Sequence, residues 1–210
     1  MSRTQIVPLA LTVLIAAVSL SCGEKKGAQI EAGPAQYKVQ LQTTKGDVVI
    51  LVHRNWSPIG ADHFYQLTKA GFYNNDAIFR VLPGFVVQWG ISGDPPKNKQ
   101  WSEAIKDDPP KVSNKIGTIV FAKTGQPDSR TTQVFINLGD NSAALDPQGF
   151  TPFGEVIQGM DNVTKFYSGY GEGQPNGEGP SQKSIEEIGN TYLEQHYPKL
   201  DYIKTARIVP

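Results

Sequence analysis

Tyr73–Gly90 reads YNNDAIFRVLPGFVVQWG. Two short apolar runs, Ala77–Leu82 and Phe85–Gly90, flank the turn dipeptide Pro83-Gly84. Runs rich in Val, Ile and Phe and bounded by Pro and Gly read as strands, and the turn makes them neighbours. Arg80, Phe85 and Gln88 then sit on adjacent strands. An arginine in an apolar strand needs a reason, because burying an unpartnered cation is expensive. Alternation leaves two orientations open: Arg80 on the polar outer side of a sheet, or Arg80 turned towards a site. The second informative stretch is Phe121–Phe153, FAKTGQPDSRTTQVFINLGDNSAALDPQGFTPF. Its TQVFINL run puts Gln133 and Phe135 on one strand face by the period of two.

Working outward, Tyr37–Thr44 alternates Tyr37, Val39 and Leu41 against Lys38, Gln40 and Gln42, a half-buried strand. Lys45-Gly46 marks a turn, and Asp47–His53 completes a hairpin. Ser57-Pro58 has the form of an N-cap followed by the first helical residue, and Gly71 the form of a stop. Ser92–Lys115 lacks periodicity and reads as a long loop broken by two Pro-Pro pairs. Gly117–Ala122, Thr132–Leu138, Gly149–Ile157 and Leu200–Val209 read as further strands. Met160–Tyr167 begins a short helix, and Ser184–His196 reads as another, with Ser181–Ser184 as caps. About eight short strands and two or three helices predict a mainly β fold: a closed eight-stranded antiparallel barrel capped by helices.

The chain has 210 residues, with 20 Lys and Arg against 20 Asp and Glu. That balance offers no basic footprint for nucleic acid. The 39% apolar and 19% charged content is that of a folded chain. Cys22 is the single cysteine, so no intrachain disulfide or cysteine metal cluster forms. Ile6–Leu20 is almost wholly apolar, and its 15 residues fall short of the ~20 of a spanning helix. It has the size of the apolar core of a secretory signal. Ser19 and Ser21 precede Cys22, and the run resembles the signal peptide and lipobox of bacterial lipoproteins, although Ser19-Leu20 stand where Leu and then a small residue are usual. The resemblance implies lipidation of Cys22 and two-chain anchoring. Removing residues 1–21 takes Arg3 and no acid, leaving 19 bases against 20 acids. Residues 22–36 read as a flexible tether, and residues 37–210 as the domain.

Other constellations carry less. His53, His63 and His196 lack metal-ligand spacing, and no metal is expected. Asp107-Asp108 reads as a solvated face. GYGEGQPNGEGP lacks the GK[ST] ending of a phosphate loop and reads as a flexible surface loop. No G-x-S-x-G is present.

The quoted segments together resemble the cyclophilin-type peptidyl-prolyl cis-trans isomerases. The family signature of an Arg, two aliphatics, Pro-Gly-Phe, then Gln and Gly is matched by Arg80–Gly90. Phe121-Ala122, Gln133–Ile136, Leu145-Asp146 and Phe153-Gly154 follow in order. The likeness spans residues 37–168 and the closing strand 200–209. It implies catalysis of cis/trans isomerisation at X–Pro bonds without a cofactor. Arg80, Phe85, Gln88 and Gln133 are the implied catalytic set. Val86, Ala122, Lys123, Phe135, Leu145 and Phe150 are the implied substrate contacts. The implied partners are proline-containing peptides and unfolded exported proteins, bound by a monomer held to a bacterial membrane and facing the periplasm or cell exterior. There are departures. Phe79 stands where His is common, Ala144 where many eukaryotic members carry the Trp that contacts cyclosporin, and Phe150 where those members have a His. Residues 170–199 are an insertion. Two other readings remain at this point: a catalytically idle module binding proline-containing segments, and a small-ligand barrel of the lipocalin type.

Overall fold

The computed structural model describes Met1 and residues 32–210; the apolar run, Cys22 and the tether as far as residue 31 lie outside the described residues. Strand β1 (Gln36–Thr43) buries Tyr37, Val39, Leu41 and Thr43 in alternation. That is the pattern of a sheet with one wet face. It pairs antiparallel with β2 (Gly46–His53), Thr43 opposite Gly46. Helix α1 (Pro58–Lys69) follows, burying Ala61, Phe64 and Leu67, and Gly71 at φ +64° ends it.

Ser57 occupies the N-cap position, but its side chain does not cap. Asp108 caps instead: its carboxylate accepts from the Ile59 and Gly60 N–H groups at 3.0 and 2.9 Å and from the Ser57 hydroxyl at 2.5 Å. Arg130 donates to it at 3.0 Å, and the Asp108 side chain is 2% exposed. The expectation that Asp107-Asp108 is a solvated face is therefore corrected for Asp108. The unpaired N–H groups and positive pole of a helix N-terminus draw in a carboxylate from a distant loop.

The remaining elements are β3 (Asp76–Ile78), β4 (Arg80–Leu82), β5 (Val86–Trp89), α2 (Pro95–Gln100), β6 (Thr118–Phe121), β7 (Val134–Asn137), α3 (Ser142–Leu145), β8 (Pro152–Gln158), α4 (Met160–Val163), α5 (Gln182–Ile188), α6 (Asn190–His196) and β9 (Asp201–Val209). The sheet order is β3-β9-β1-β2-β8-β6-β7-β5-β4. Its two ends are consecutive in sequence, with only Phe79 between them, so the sheet curls into a nearly closed barrel. The expected Ala77–Leu82 strand is a ribbon bent at Phe79. Its first half pairs with β9 and its second with β5. That bend makes nine strands of the eight anticipated.

The barrel is filled by its own side chains. Phe64, Trp89, Phe121 and Phe153 are essentially inaccessible, and the Phe64 and Phe121 rings lie 5.0 and 5.1 Å from that of Phe153. A small barrel packed in this way has no lumen for a ligand, which removes the lipocalin-type reading. Two other expectations change. The 92–115 loop contains α2, where Pro95 and Pro96 occupy the first helical positions and lose no intrahelical bond. The single helix read over Ser184–His196 is two, α5 and α6, divided at Gly189 with φ +74°. Ser181 caps α5 by accepting from the Ser184 N–H at 3.3 Å.

Candidate active site

The floor of the site follows from strand register. β5 and β7 pair with Gln88 opposite Phe135 and Val86 opposite Asn137. Val86, Phe135 and Leu145 are buried together above Val120, and Phe85, Ala122 and Phe150 are half-buried against them. Phe135 and Phe150 meet edge-on at 5.8 Å. Leu145 and Phe150 arrive on α3 and the turn after it. Asn114 ties that turn down, donating to Asp146 Oδ1 at 2.7 Å and to the Phe150 carbonyl at 2.9 Å. The result is a cleft of about 390 Å³ with an apolar floor.

A polar row runs along one wall. β4 sets Arg80 opposite Gln88 on β5. The Arg80 guanidinium lies 5.8 Å from the Phe85 ring centroid, and its Nη1 donates to Gln88 Oε1 at 3.0 Å. Gln88 Nε2 donates to Gln133 Oε1 at 2.8 Å. Gln133 Nε2 donates to Gln182 Oε1 at 3.0 Å. Arg80 Nε and Nη2 also donate to the two carboxylate oxygens of Glu172 at 2.6 and 2.7 Å. Those Arg80 bonds hold the Glu172 carboxyl below the usual carboxylate range. On the opposite wall Lys123 Nζ stands 5.8 Å from the Phe150 ring and 3.3 Å from Asp107.

The structure thus brings the ten residues singled out from the sequence to one place. Nine line the cleft, and Gln133 adjoins it through Gln88. Of the two orientations open for Arg80, the one towards a site is found. Sequence reasoning missed Glu172, Asn176 and Gln182, which line the cleft from the insertion. The Gly-rich run read as a flexible surface loop lies across the wall of the site. Nothing local marks this, because Glu172 meets a partner 92 residues away in sequence.

Among the described residues no histidine, serine or cysteine lines the cleft, and its one amine, Lys123, is paired with Asp107 at 3.3 Å. Arg80 paired with Glu172, a row of carboxamides and an apolar, largely aromatic floor suit a neutral peptide carrying a small ring. A family model described as cyclophilin type peptidyl-prolyl cis-trans isomerase/CLD matches residues 38–189. The chain belongs to this family. It is 37% identical over 136 residues to the peptidyl-prolyl cis-trans isomerase of Acinetobacter baylyi, a match covering 63% of this chain and 72% of that protein. It is 36% identical over 135 residues to peptidyl-prolyl cis-trans isomerase B of Escherichia coli, covering 61% and 82%. Among solved structures, a Cryptosporidium parvum cyclophilin type peptidyl-prolyl cis-trans isomerase superposes with TM-score 0.61 at 19% identity, covering 83% of this chain and 98% of that one. A second structure of that protein, with TM-score 0.60 and 18% identity over 82% of this chain and 99% of that one, was determined in the presence of the dipeptide Ala-Pro. In this cyclophilin the departure at Phe79 has a physical reason: its ring is 2% exposed and packs with Ile185 and Leu193 of the insertion helices.

Proposed function

We propose that the protein catalyses cis/trans isomerisation of X–Pro bonds and so assists the folding of exported proteins. The observation that carries this reading is Arg80, held half-buried over Phe85 beside an apolar floor. Among the described residues its five N–H groups make three hydrogen bonds, leaving one N–H on each Nη nitrogen for a bound peptide.

Amide resonance sets a barrier of ~18–20 kcal/mol to rotation about the X–Pro bond. Rotation breaks no bond and transfers no proton; it needs a site that holds the twisted amide better than either planar form. In the twisted state the prolyl nitrogen regains its lone pair and accepts a hydrogen bond. Arg80 is the donor placed to supply one, and its planar fork can serve two acceptors. Phe85, Val86, Phe135, Leu145 and Phe150 take the proline ring. Gln88 and Gln133 hold the substrate backbone. The Ala122 N–H already donates to the Gln133 carbonyl at 2.9 Å, so Ala122 and Lys123 align a peptide through their remaining backbone groups. Each tenfold in rate requires ~1.4 kcal/mol of preferential binding to the twisted form.

The same proposal places the enzyme as a monomer outside the cytoplasm, tethered by a lipid on Cys22. The support is the position of the lone cysteine at the end of the apolar run. Exchange NMR on an Ala-Pro peptide separates the active reading from the idle one. Shifted peptide resonances report binding, and cis–trans exchange peaks report catalysis. Both are expected; binding without exchange would establish a module that only holds proline-containing chains.

A further inference from the structure

The polar row of the site begins and ends in the insertion. Glu172 closes it at Arg80, and Gln182 closes it at Gln133. The two ends differ in strength. The Gln133–Gln182 bond is exposed and neutral. The Arg80–Glu172 contact has two parallel N–H···O bonds between side chains 18% and 36% exposed. A forked, charge-assisted pair of this kind fixes both distance and orientation.

Glu172 is itself held. Its carboxylate accepts a third N–H, that of Gly173 at Oε1, at 3.0 Å. Its backbone carbonyl accepts from the Gly179 N–H at 2.8 Å. Gly179 in turn accepts at its carbonyl from the Tyr197 hydroxyl at 3.2 Å. Tyr170 packs edge-on against Tyr167 and Tyr197, at 4.9 and 5.0 Å. A Cβ on Gly177 would lie 2.4 Å from the Glu172 carbonyl, so that turn of the loop requires glycine. Behind the loop, α5 and α6 bury Ile185 and Leu193 against Ala77, Phe79 and Ile91. Phe79 immediately precedes β4, which carries Arg80; Ile91 follows closely on β5, which carries Gln88; and Ala77 lies in β3, just before Phe79. The loop is therefore anchored to the barrel wall that bears the polar row.

We propose that Glu172 is a positioning residue for isomerisation: the insertion supplies it to lock the Arg80 guanidinium so that its remaining Nη hydrogens face the prolyl bond. The inference rests on the isomerase reading above. An arginine side chain has many rotamers, and a donor must lose that freedom to meet a twisted amide. A partner that removes this freedom before the substrate arrives lowers the barrier to turnover and leaves ground-state binding nearly unchanged. The rival arrangement is a carboxylate that competes with the substrate for Arg80. It predicts the opposite sign.

The test compares the full-length protein with Glu172→Gln and Glu172→Asp. Gln keeps one acceptor oxygen but turns an amide donor against the guanidinium; Asp keeps the charge on a shorter stem. Glu172→Gln is expected to lower kcat by about tenfold to 100-fold, with KM within about threefold of the native value. Glu172→Asp should recover part of the rate. The Nε–H resonance of Arg80, assigned by its loss in Arg80→Lys, should move in Glu172→Gln and return towards its native position in Glu172→Asp. A Glu172→Gln enzyme as fast as native or faster would overturn the positioning role while leaving the isomerase reading intact. A native protein with no isomerase activity would overturn both.

Discussion

In the mechanism proposed above, removing the Arg80 guanidinium strips the cleft of the donor assigned to the twisted prolyl nitrogen. Arg80→Ala is expected to lower kcat by roughly 100-fold or more, as loss of one placed donor does elsewhere, while KM moves far less. Arg80→Lys should restore only part of the rate: Gln88 and the two Glu172 oxygens would take up all three N–H groups of an ammonium, whereas the guanidinium's planar fork keeps two for the peptide. Steady-state kinetics on the three proteins checks both statements. Activity should also be flat between about pH 6 and 8, since neither guanidinium nor carboxamide groups titrate there and no histidine among the described residues lines the cleft. His63 lies outside the site, and burial pushes its imidazole down to about 4. A bell-shaped profile in that window would bring a histidine into the chemistry. At this scale the sequence was legible where partners are close in the chain. Arg80, Phe85 and Gln88 flank one turn, and strand alternation ties Gln133 to Phe135. Glu172 was not legible, because only the folded chain brings the insertion over β4.

The N-terminus of α1 shows what strand and helix patterns leave out. Ser57-Pro58 marks where the helix begins, but the capping carboxylate comes from Asp108, about fifty residues on. Burial alone would raise the Asp108 carboxyl; hydrogen bonds from Ser57, Ile59 and Gly60 and the Arg130 charge outweigh it and hold it below the ordinary range. A depressed folded-state value means that Asp108 contributes stability at pH above about 4. That contribution is lost as pH falls through the folded-state value. Asp108→Asn should flatten this acid limb in denaturation curves taken across it. Asp108→Ala removes the cap and leaves Arg130 with Asp107 and the Lys106 carbonyl; it should cost about 1–2 kcal/mol near neutral pH. An unchanged midpoint would remove the cap from the account. The helix α2 was missed because paired prolines read as breakers, although the first helical positions accept them. The bend at Phe79 was missed because a ribbon shared between two neighbours looks, in sequence, like one strand. Ala144 gives a further check on α3. It stands exposed beside Leu145, where the family resemblance places an indole that contacts cyclosporin. Native protein should bind cyclosporin weakly and Ala144→Trp more tightly in a direct titration; tight native binding would contradict the placement of this loop.

At the scale of the molecule, the barrel and the insertion form one body through the cluster around Phe79 and Leu193, and the proposed anchor lies beyond it. Full-length protein should partition with membranes, and Cys22→Ser should be released or left unprocessed; a processed Cys22→Ser protein retained equally on membranes would end the lipoprotein reading. The barrel itself was readable because many short strands separated by Gly and Pro allow few other closures. What the insertion does was not readable, since its Gly-rich half carries no periodicity and its contacts with the polar row, Glu172 to Arg80 and Gln182 to Gln133, lie far away in the chain. The central claim is that this cleft twists prolyl bonds. Its most direct measurement is the cis-to-trans relaxation rate of a short Ala-Pro peptide against concentration of native protein and of natively folded Arg80→Ala. The account predicts a rate rising in proportion to native protein and almost flat for the variant. Equal slopes for the two proteins, or no acceleration by the native one, would contradict it.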